Sequence, residues 1–145
     1  MILSGPEIVR RLERECPMGK LVITPYGEEC QQPASYDLRS ACTITLKKGT
    51  CTLVPTLEWV ELPMDLAGTI RCRSSFGRRG VLLGAGFVDP GFRGQLTICL
   101  TNMGAEDIVI KEQDRIVQMI LHEVREGNAG YSGRYQDSRG VVEAK

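Results

Sequence analysis

A single aspartate within a glycine-rich run is the strongest candidate for chemistry in this sequence. Asp89 lies in residues 84–94, where four of the eleven residues are glycine. Glycine has no Cβ, so a backbone rich in it can approach a flat ligand closely and bind it through main-chain groups. Apolar neighbours around a tight turn would hold the Asp89 carboxylate as a candidate base. An ordinary hairpin accounts for the glycines equally well, because Asp-Pro-Gly at residues 89–91 is a strong turn signal.

A second segment offers hydrogen-bond donors that suit phosphate. Arg73 is followed by Ser74 and Ser75, and the guanidinium group of arginine binds phosphate through two parallel donors. Four arginines fall within residues 71–79, which contain no acidic residue. This local excess of positive charge indicates a site for a small anion. A solvated basic turn explains the segment equally well when it is taken alone.

Two polar side chains stand in otherwise apolar stretches. Asp37 follows Tyr36, and by itself this aspartate is interpreted as a turn residue ahead of a strand, with Tyr36 in the core. Gln118 lies in a predicted strand, and a glutamine on an apolar strand face needs a partner, from the fold or from a ligand. Alternation places Arg115, Val117 and Met119 on one face of that strand and Ile116, Gln118 and Ile120 on the other.

The elements that would position these residues begin with one short helix. Ser4 and Glu7 form the S-x-x-E pattern of a capping box, and Leu3 and Ile8 are spaced to form a hydrophobic staple around it. Pro17 is predicted to end this helix together with the glycine two residues later.

From Leu21 onward, short alternating runs are separated by glycine, proline and aspartate. Strands about every 10 residues with such turns predict an antiparallel sandwich or barrel. The predicted strands cover residues 43–46, 53–62, 69–73, 95–100, 107–111 and 115–124. Glu58 and Glu61 have the E-x-x-E spacing of helical nucleotide pyrophosphohydrolases, but they lie in one of these strands, where a spacing of three does not bring side chains together.

Composition sets the broad class. The chain has 145 residues, enough for one domain with a core, and its 18 basic and 18 acidic residues balance, which gives no reason to expect nucleic acid or membrane as a partner. Its one histidine and the lack of any C-x-x-C pair exclude a zinc nucleoside deaminase site. The six irregularly spaced cysteines are interpreted as reduced thiols of a cytoplasmic protein rather than as three disulfides.

Taken together in this order and spacing, the four segments resemble the dUTPase and dCTP deaminase superfamily over roughly residues 33–140. The connecting runs Val-Glu-Leu-Pro at 60–63 and Ala-Gly-Thr-Ile at 67–70 add to the resemblance. It implies a mainly β fold, a distorted antiparallel jelly-roll-like β barrel with one short N-terminal helix, assembled as a homotrimer. Residues 1–127 would form the domain, and residues 128–145 a flexible C-terminal arm that closes over an active site at a subunit interface.

The superfamily contains two chemistries, and one position separates them. The opening residues 1–4, the run 33–39 and the tail 133–136 are deaminase-like, and the glycine-rich ending with a phenylalanine that dUTPases carry is missing in its familiar form. Deaminases, however, place a catalytic glutamate ten residues after the position of Asp89. Here that residue is Cys99, and no carboxylate lies between Asp89 and Glu106. A thiol is a poor substitute for that glutamate in proton transfer.

The resemblance therefore implies a dUTP diphosphatase that forms dUMP and pyrophosphate, with Asp89 as the base that activates water. Mg²⁺ would be held mostly by the triphosphate, with Asp37 near its outer shell. A dCTP deaminase and a catalytically silent nucleotide-binding protein are the alternatives. The implied substrate contacts are Gly84, Ala85 and Gly86 on uracil, Phe92 on deoxyribose, Arg73, Ser74, Ser75 and Gln118 on the triphosphate, and Arg134 and Gln136 with Tyr131 or Tyr135 in the closing arm.

Overall fold

The N-terminal helix forms as its capping pattern predicts. The structure, a computed structural model, describes residues 1–126 and 129–145. Helix α1 (Gly5–Glu13) begins after Ser4, whose side chain accepts a hydrogen bond from the Glu7 N–H while the Glu7 carboxylate accepts one from the Ser4 N–H. The helix ends four residues before Pro17. None of the helices in the described parts of the chain is long and apolar enough to cross a membrane.

The rest of the described chain is mainly β-structure. All six predicted strands are found, with ends that differ by a few residues. Five further strands were not predicted, because runs of two to five residues carry too little alternation to be recognised. In chain order the elements are β1 (Val22–Thr24), a 3₁₀ turn (Glu28–Cys30), β2 (Gln31–Gln32), β3 (Ser35–Arg39), β4 (Ile44–Leu46), β5 (Cys51–Glu61), β6 (Leu66–Cys72), α2 (Ser74–Gly77), β7 (Val81–Gly84), β8 (Phe87–Val88), β9 (Arg93–Asn102), β10 (Ile108–Ile110) and β11 (Arg115–Glu123).

These strands form three antiparallel sheets. Their orders are β1-β5-β9-β7, β2-β3-β11-β6-β8 and the pair β10-β4. The antiparallel β class is confirmed, but the expected closed barrel is wrong, because the sheets of the described chain keep open edges. Edge strands β1, β2 and β8 have only three, two and two residues, which is too short to extend the pairing around a closed cylinder.

The five-stranded sheet buries one face in the core and leaves its other face more open. On β11, Val117, Met119 and Leu121 are buried, while Gln118 is only partly covered, as alternation predicts. The predicted face of Ile116 is wrong. The register shifts between Arg115 and Val117, and this bulge turns Ile116 into the core.

A buried ion pair joins the two large sheets. Arg39 on β3 lies 2.7 Å from the Glu58 carboxylate on β5, and the Arg39 backbone N–H donates to the other carboxylate oxygen at 2.9 Å. Glu58 is 0 % exposed. Burial raises the pKa of Glu58, while the hydrogen bonds from Arg39 oppose that rise. The extended strand also confirms that the E-x-x-E spacing of Glu58 and Glu61 is not helical.

We expect Glu58→Leu to lower the free energy of unfolding by about 3–5 kcal/mol, because it leaves the Arg39 guanidinium buried without its counter-charge. Urea denaturation measures this change. The double variant Arg39→Leu/Glu58→Leu removes both charges and should recover part of the loss. A double variant as unstable as the sum of the two single variants would show that the ion pair does not couple the sheets.

Candidate functional site

The strand register brings the predicted site residues to one face of the five-stranded sheet. Gln118 on β11 lies opposite Asp37 on β3 and opposite Arg71 on β6. Val88 pairs with Gly68, so the next residue, Asp89, falls beside Ala67 of β6. Directly opposed residues in an antiparallel sheet project from the same face. One end of this face therefore carries arginines, and the other end carries Asp89.

The arginine end is organised around a buried carboxylate. Asp37 is 2 % exposed, and its Oδ2 lies 3.2 Å from Nε of Arg73 and 3.5 Å from Nη1 of Arg115. Burial raises the pKa of Asp37, and the two guanidinium groups oppose that rise. The interpretation of Asp37 as a turn residue is wrong, since it lies in the middle of β3. Two cations around one anion leave a net positive charge beside the partly exposed Gln118.

Two exposed hydroxyl groups extend this end of the face. Ser74 and Ser75 open the one-turn helix α2, immediately after Arg73. The first backbone N–H groups of a helix have no acceptor within it, so they join the serine hydroxyls as donors. Guanidinium, hydroxyl and N–H groups together are the chemistry that binds phosphate oxygens.

The Asp89 end opens into a cleft of about 580 Å³. Asp89 is exposed, and its carbonyl accepts a hydrogen bond from the Phe92 N–H at 3.2 Å, which confirms the predicted turn. Tyr131 from the tail also lines this cleft, so the structure brings one predicted tail aromatic beside the predicted base. Further lining residues are Ala67, Pro90, Val124 and Gly130.

The predicted base-reading hairpin lies along a second cleft, of about 640 Å³, between β6 and β7. Ala85 and Gly86 have positive φ values of 61° and 111°, and the Gly86 carbonyl accepts a hydrogen bond from Ile70 at 2.6 Å. Phe87 lines both clefts and is 66 % exposed. Phe87 was not predicted as a site residue, although a large aromatic residue near a candidate base in a glycine-rich run is a signal for one.

Three other predicted contacts are placed differently from the expected arrangement. Phe92 is only 6 % exposed, and its ring packs edge-on against Tyr131 with centroids 5.6 Å apart. Arg134 donates to the carbonyl of Lys145, and Gln136 binds the turn that follows Asp89. Their predicted roles on the nucleotide stay predictions. The boundary predicted between residues 127 and 128 falls on Gly127 and Asn128, which lie outside the described residues.

The two ends of the face are far apart within one chain. Arg73, directly after β6, lies six positions along the extended chain from Ala67, which is beside Asp89. At about 3.3 Å per residue this amounts to roughly 20 Å. Neither end alone offers both a candidate base and a cluster of phosphate donors.

The side chains do not form a metal cage. Among residues 1–126 and 129–145, no group of three or more His, Cys, Asp or Glu side chains could hold a metal ion. The Asp37 carboxylate faces two guanidinium groups instead. The residues present therefore do not fit a metal site made by the protein alone.

Known proteins resemble this chain in sequence and in fold. Residues 40–124 match the family model described as dCTP deaminase-like. The chain is 34 % identical to the dCTP deaminase of Pyrococcus abyssi over 142 residues, which covers 87 % of this chain and 92 % of the relative. It is also 34 % identical to the deoxyuridine 5'-triphosphate nucleotidohydrolase of Neorickettsia sennetsu over 119 residues, covering 74 % and 80 %.

The chain belongs to the dUTPase and dCTP deaminase superfamily. The native EIAV dUTPase superposes with a TM-score of 0.64 at 22 % identity, covering 80 % of this chain and 98 % of that structure. This likeness confirms a dUTPase-like fold. The relatives' names include both activities of the superfamily, so the choice between them depends on the residues of this chain.

Cys99 occupies the position that the deaminase pattern gives to glutamate. It lies on β9 opposite Leu53 and Gly84, and a Cβ added at Gly84 would lie 3.6 Å from the Cys99 Cβ. Burial raises the pKa of the Cys99 thiol, and the neighbouring Cys51 raises it further, so the thiol stays protonated at neutral pH. Among the described residues that line the two clefts, Asp89 alone carries a carboxyl group.

We expect Asp37→Asn to lower the free energy of unfolding by about 1–3 kcal/mol, because Arg73 and Arg115 lose the carboxylate between them. Any dependence on Mg²⁺ should be the same as in the unaltered protein, since Asp37 pairs with arginines rather than with a metal. Arg71→Gln is the matched control. It removes a charge from the same face without contacting Asp37 and should change stability by less than about 0.5 kcal/mol. A higher Mg²⁺ requirement in Asp37→Asn would instead assign Asp37 to the metal.

Proposed function

We propose that the protein is a dUTP diphosphatase that hydrolyses dUTP to dUMP and pyrophosphate. The observation that carries this proposal is the placement of carboxyl groups. Among the described residues that line the two clefts, Asp89 carries the carboxyl group. At the position where deaminases have their catalytic glutamate, this chain has the protonated thiol of Cys99. Water attack on phosphorus needs one base, whereas deamination also needs proton transfer to the leaving ammonia.

The chain's own residues would perform three tasks. Asp89 would orient a water molecule and accept its proton as it attacks the α-phosphorus. Arg73 and the hydroxyls of Ser74 and Ser75 would bind the triphosphate and stabilise the negative charge on the departing pyrophosphate. Ala85, at the tip of the hairpin along the second cleft, would place its backbone against the uracil edge.

We also propose a homotrimer with sites shared between subunits. The separation of roughly 20 Å along β6 supports this assembly, because one nucleotide cannot contact Asp89 and Arg73 of the same chain. A neighbouring subunit would bring its arginine end to the Asp89 cleft. Closed rotational symmetry then repeats the same shared site at every interface.

Magnesium would enter with the substrate. Mg²⁺ retains much of its water and binds phosphate oxygens, and it would neutralise charge on the triphosphate. The roles of Asp89, Arg73 and the two serines do not depend on a protein-bound ion. We place the protein in the cytoplasm on the basis of its six unpaired thiols.

A dCTP deaminase is the second candidate, favoured by the names of several relatives. A catalytically silent nucleotide-binding protein is the third. The deaminase would require another residue to replace the glutamate at position 99, and the lining of the two clefts in the described chain supplies only Asp89.

The first expected result concerns products. Incubation with dUTP and Mg²⁺ should release dUMP and pyrophosphate, and incubation with dCTP should release no ammonia, because the thiol of Cys99 is a poor proton relay. Chromatography of the nucleotides with an ammonia assay measures both reactions. UTP is the control for recognition of the deoxyribose. Ammonia from dCTP at a rate comparable to dUTP cleavage would contradict the proposal, and binding without turnover would indicate the silent alternative.

The second expected result concerns the shared site. Asp89→Asn and Arg73→Ala should each lose activity, the first by about 10²–10⁴-fold because a general base is removed. When the two chains are co-expressed and assemble at random, about a quarter of the sites combine an intact Asp89 with an intact Arg73 from a neighbour. Activity should therefore return in the mixture. The control is Asp89→Asn co-expressed with the double variant, which assembles no complete site. A mixture as inactive as this control would rule out sharing.

A further inference from the structure

The backbone of the Asp89 turn is bound from two sides. Each of the five consecutive carbonyl groups from Asp89 to Arg93 accepts a hydrogen bond. Two of these bonds come from the domain itself: Phe92 donates to Asp89, and Leu62 donates to Phe92. The other three come from the tail. The tail donors are the N–H of Tyr131 to Pro90, the side chain of Gln136 to Gly91 and the N–H of Asp137 to Arg93.

Gln136 makes the central contact of this set. Its Nε2 donates to the Gly91 carbonyl at 2.9 Å, and its Oε1 accepts from the Arg93 N–H at 2.9 Å. Both ends of the amide are therefore used on the same turn. A glutamine side chain can do this because it carries a donor and an acceptor on one planar group.

At two glycines near Asp89, the tail backbone lies where a side chain would otherwise be. A Cβ at Gly91 would lie 3.0 Å from the Tyr131 nitrogen, and a Cβ at Gly94 would lie 2.9 Å from the Ser138 nitrogen. Their φ values, 80° and 149°, are ones that other residues rarely adopt. The glycines of this run are predicted from sequence to let a flat ligand approach, but in the structure Gly91 and Gly94 permit the close approach of the tail backbone.

The tail continues from the turn along the part of the β9 edge that β7 does not pair with. Ser138 forms a parallel bridge with Gly94, and its carbonyl accepts from the Gln95 N–H at 2.8 Å. Arg139 lies 4.6 Å above the ring of Trp59 on β5. Farther on, the Thr97 hydroxyl accepts from the Val142 N–H at 2.9 Å. These contacts hold Gln136 in place from its C-terminal side.

We propose that Gln136 is a positioning residue that sets the orientation of Asp89 by fixing residues 91–93 of its turn. The inference rests on the proposed function of Asp89 as the base. Gln136 acts through the backbone and does not contact the reacting atoms. The tail of each chain thereby takes part in catalysis through its own subunit, whether or not an arm also closes over the nucleotide.

The physical reason is that the Gln136 side chain binds the turn at two points, the Gly91 carbonyl and the Arg93 N–H. Asp89 is exposed, and without Gln136 the Gly91 carbonyl and the Arg93 N–H lose their partners. Gly91 keeps the bond from its N–H to the Leu62 carbonyl, but its own carbonyl is no longer fixed, and glycine tolerates a wide range of backbone conformations. Displacing a catalytic group by about 1 Å can cost on the order of 10²-fold in rate, while distant contacts to the substrate stay intact. We therefore expect loss of the Gln136 contacts to lower kcat and to leave nucleotide affinity unchanged.

The test compares Gln136→Met with Thr97→Val in the full-length protein. The first change removes both amide hydrogen bonds with little change in shape, and the second loosens the tail farther along β9 without touching the turn. For Gln136→Met we expect kcat on dUTP to fall at least about tenfold with KM nearly unchanged. The Kd of a non-hydrolysable dUTP analogue should also stay nearly unchanged. Thr97→Val should keep wild-type kcat.

Amide hydrogen exchange supplies a readout that does not require turnover. In Gln136→Met the Arg93 amide should exchange at least about tenfold faster, while the Leu62 amide on the opposite side of the turn keeps its wild-type rate. If the wild-type protein cleaves no dUTP, the proposed function fails and the exchange experiment still decides whether Gln136 fixes the turn.

Three results would overturn the inference. An unchanged Arg93 exchange rate would show that Gln136 does not hold the turn. A rise in KM and analogue Kd with unchanged kcat would assign the amide to the phosphates. Gln136→Met and Thr97→Val could instead lose kcat equally, with lower thermal stability in both. That result would show that Gln136 only helps to attach the tail and has no specific effect on Asp89.

Discussion

The buried pairing of Arg39 with Glu58 is the interaction on which the rest of the site depends. It joins β3 of one sheet to β5 of the other, and both charges are largely removed from water. A buried ion pair stabilises the fold only when its geometry is good. Here the Glu58 carboxylate accepts hydrogen bonds from both the side chain and the backbone N–H of Arg39. Asp37 lies two residues earlier on the same strand. An ion pair that lies outside the lining of the two clefts therefore helps to fix the position of the arginine end.

Much of the fold could be predicted because its signals are local. The capping box at Ser4 and Glu7 depends on residues three apart, and the longer strands show their alternation directly. The missed strands are short, and β3 has all five residues buried, so no alternation marks it. The bulge that turns Ile116 inward depends on pairing with a distant strand. Whether sheets close into a barrel depends likewise on long-range pairing.

In the candidate site, too, features that depend on nearby residues could be predicted and contacts between distant residues could not. Asp89 and Arg73 could be selected from residue types and spacing; the structure places Asp89 in a cleft and Arg73 beside Asp37, and their chemical roles stay predictions. The partners of Asp37 could not be predicted, because Arg73, which follows β6, and Arg115 on β11 are distant from it in the sequence. The glycines were recognised as points of close approach, but sequence does not say what approaches. At Gly91 and Gly94 it is a segment about 40 residues later in the chain.

The course of the tail beside β9 also has a consequence for aggregation. In the described chain β7 pairs with residues 99–102 of β9, and on the same side of residues 93–97 the tail supplies hydrogen-bond partners for Arg93 and Gln95. An uncovered strand edge exposes N–H and C=O groups that recruit strands from other molecules. A chain shortened by proteolysis before Gln136 would present such an edge beside the apolar residues Leu96 and Ile98. The tail thus covers a part of the β9 edge that would otherwise be open to strands of other molecules.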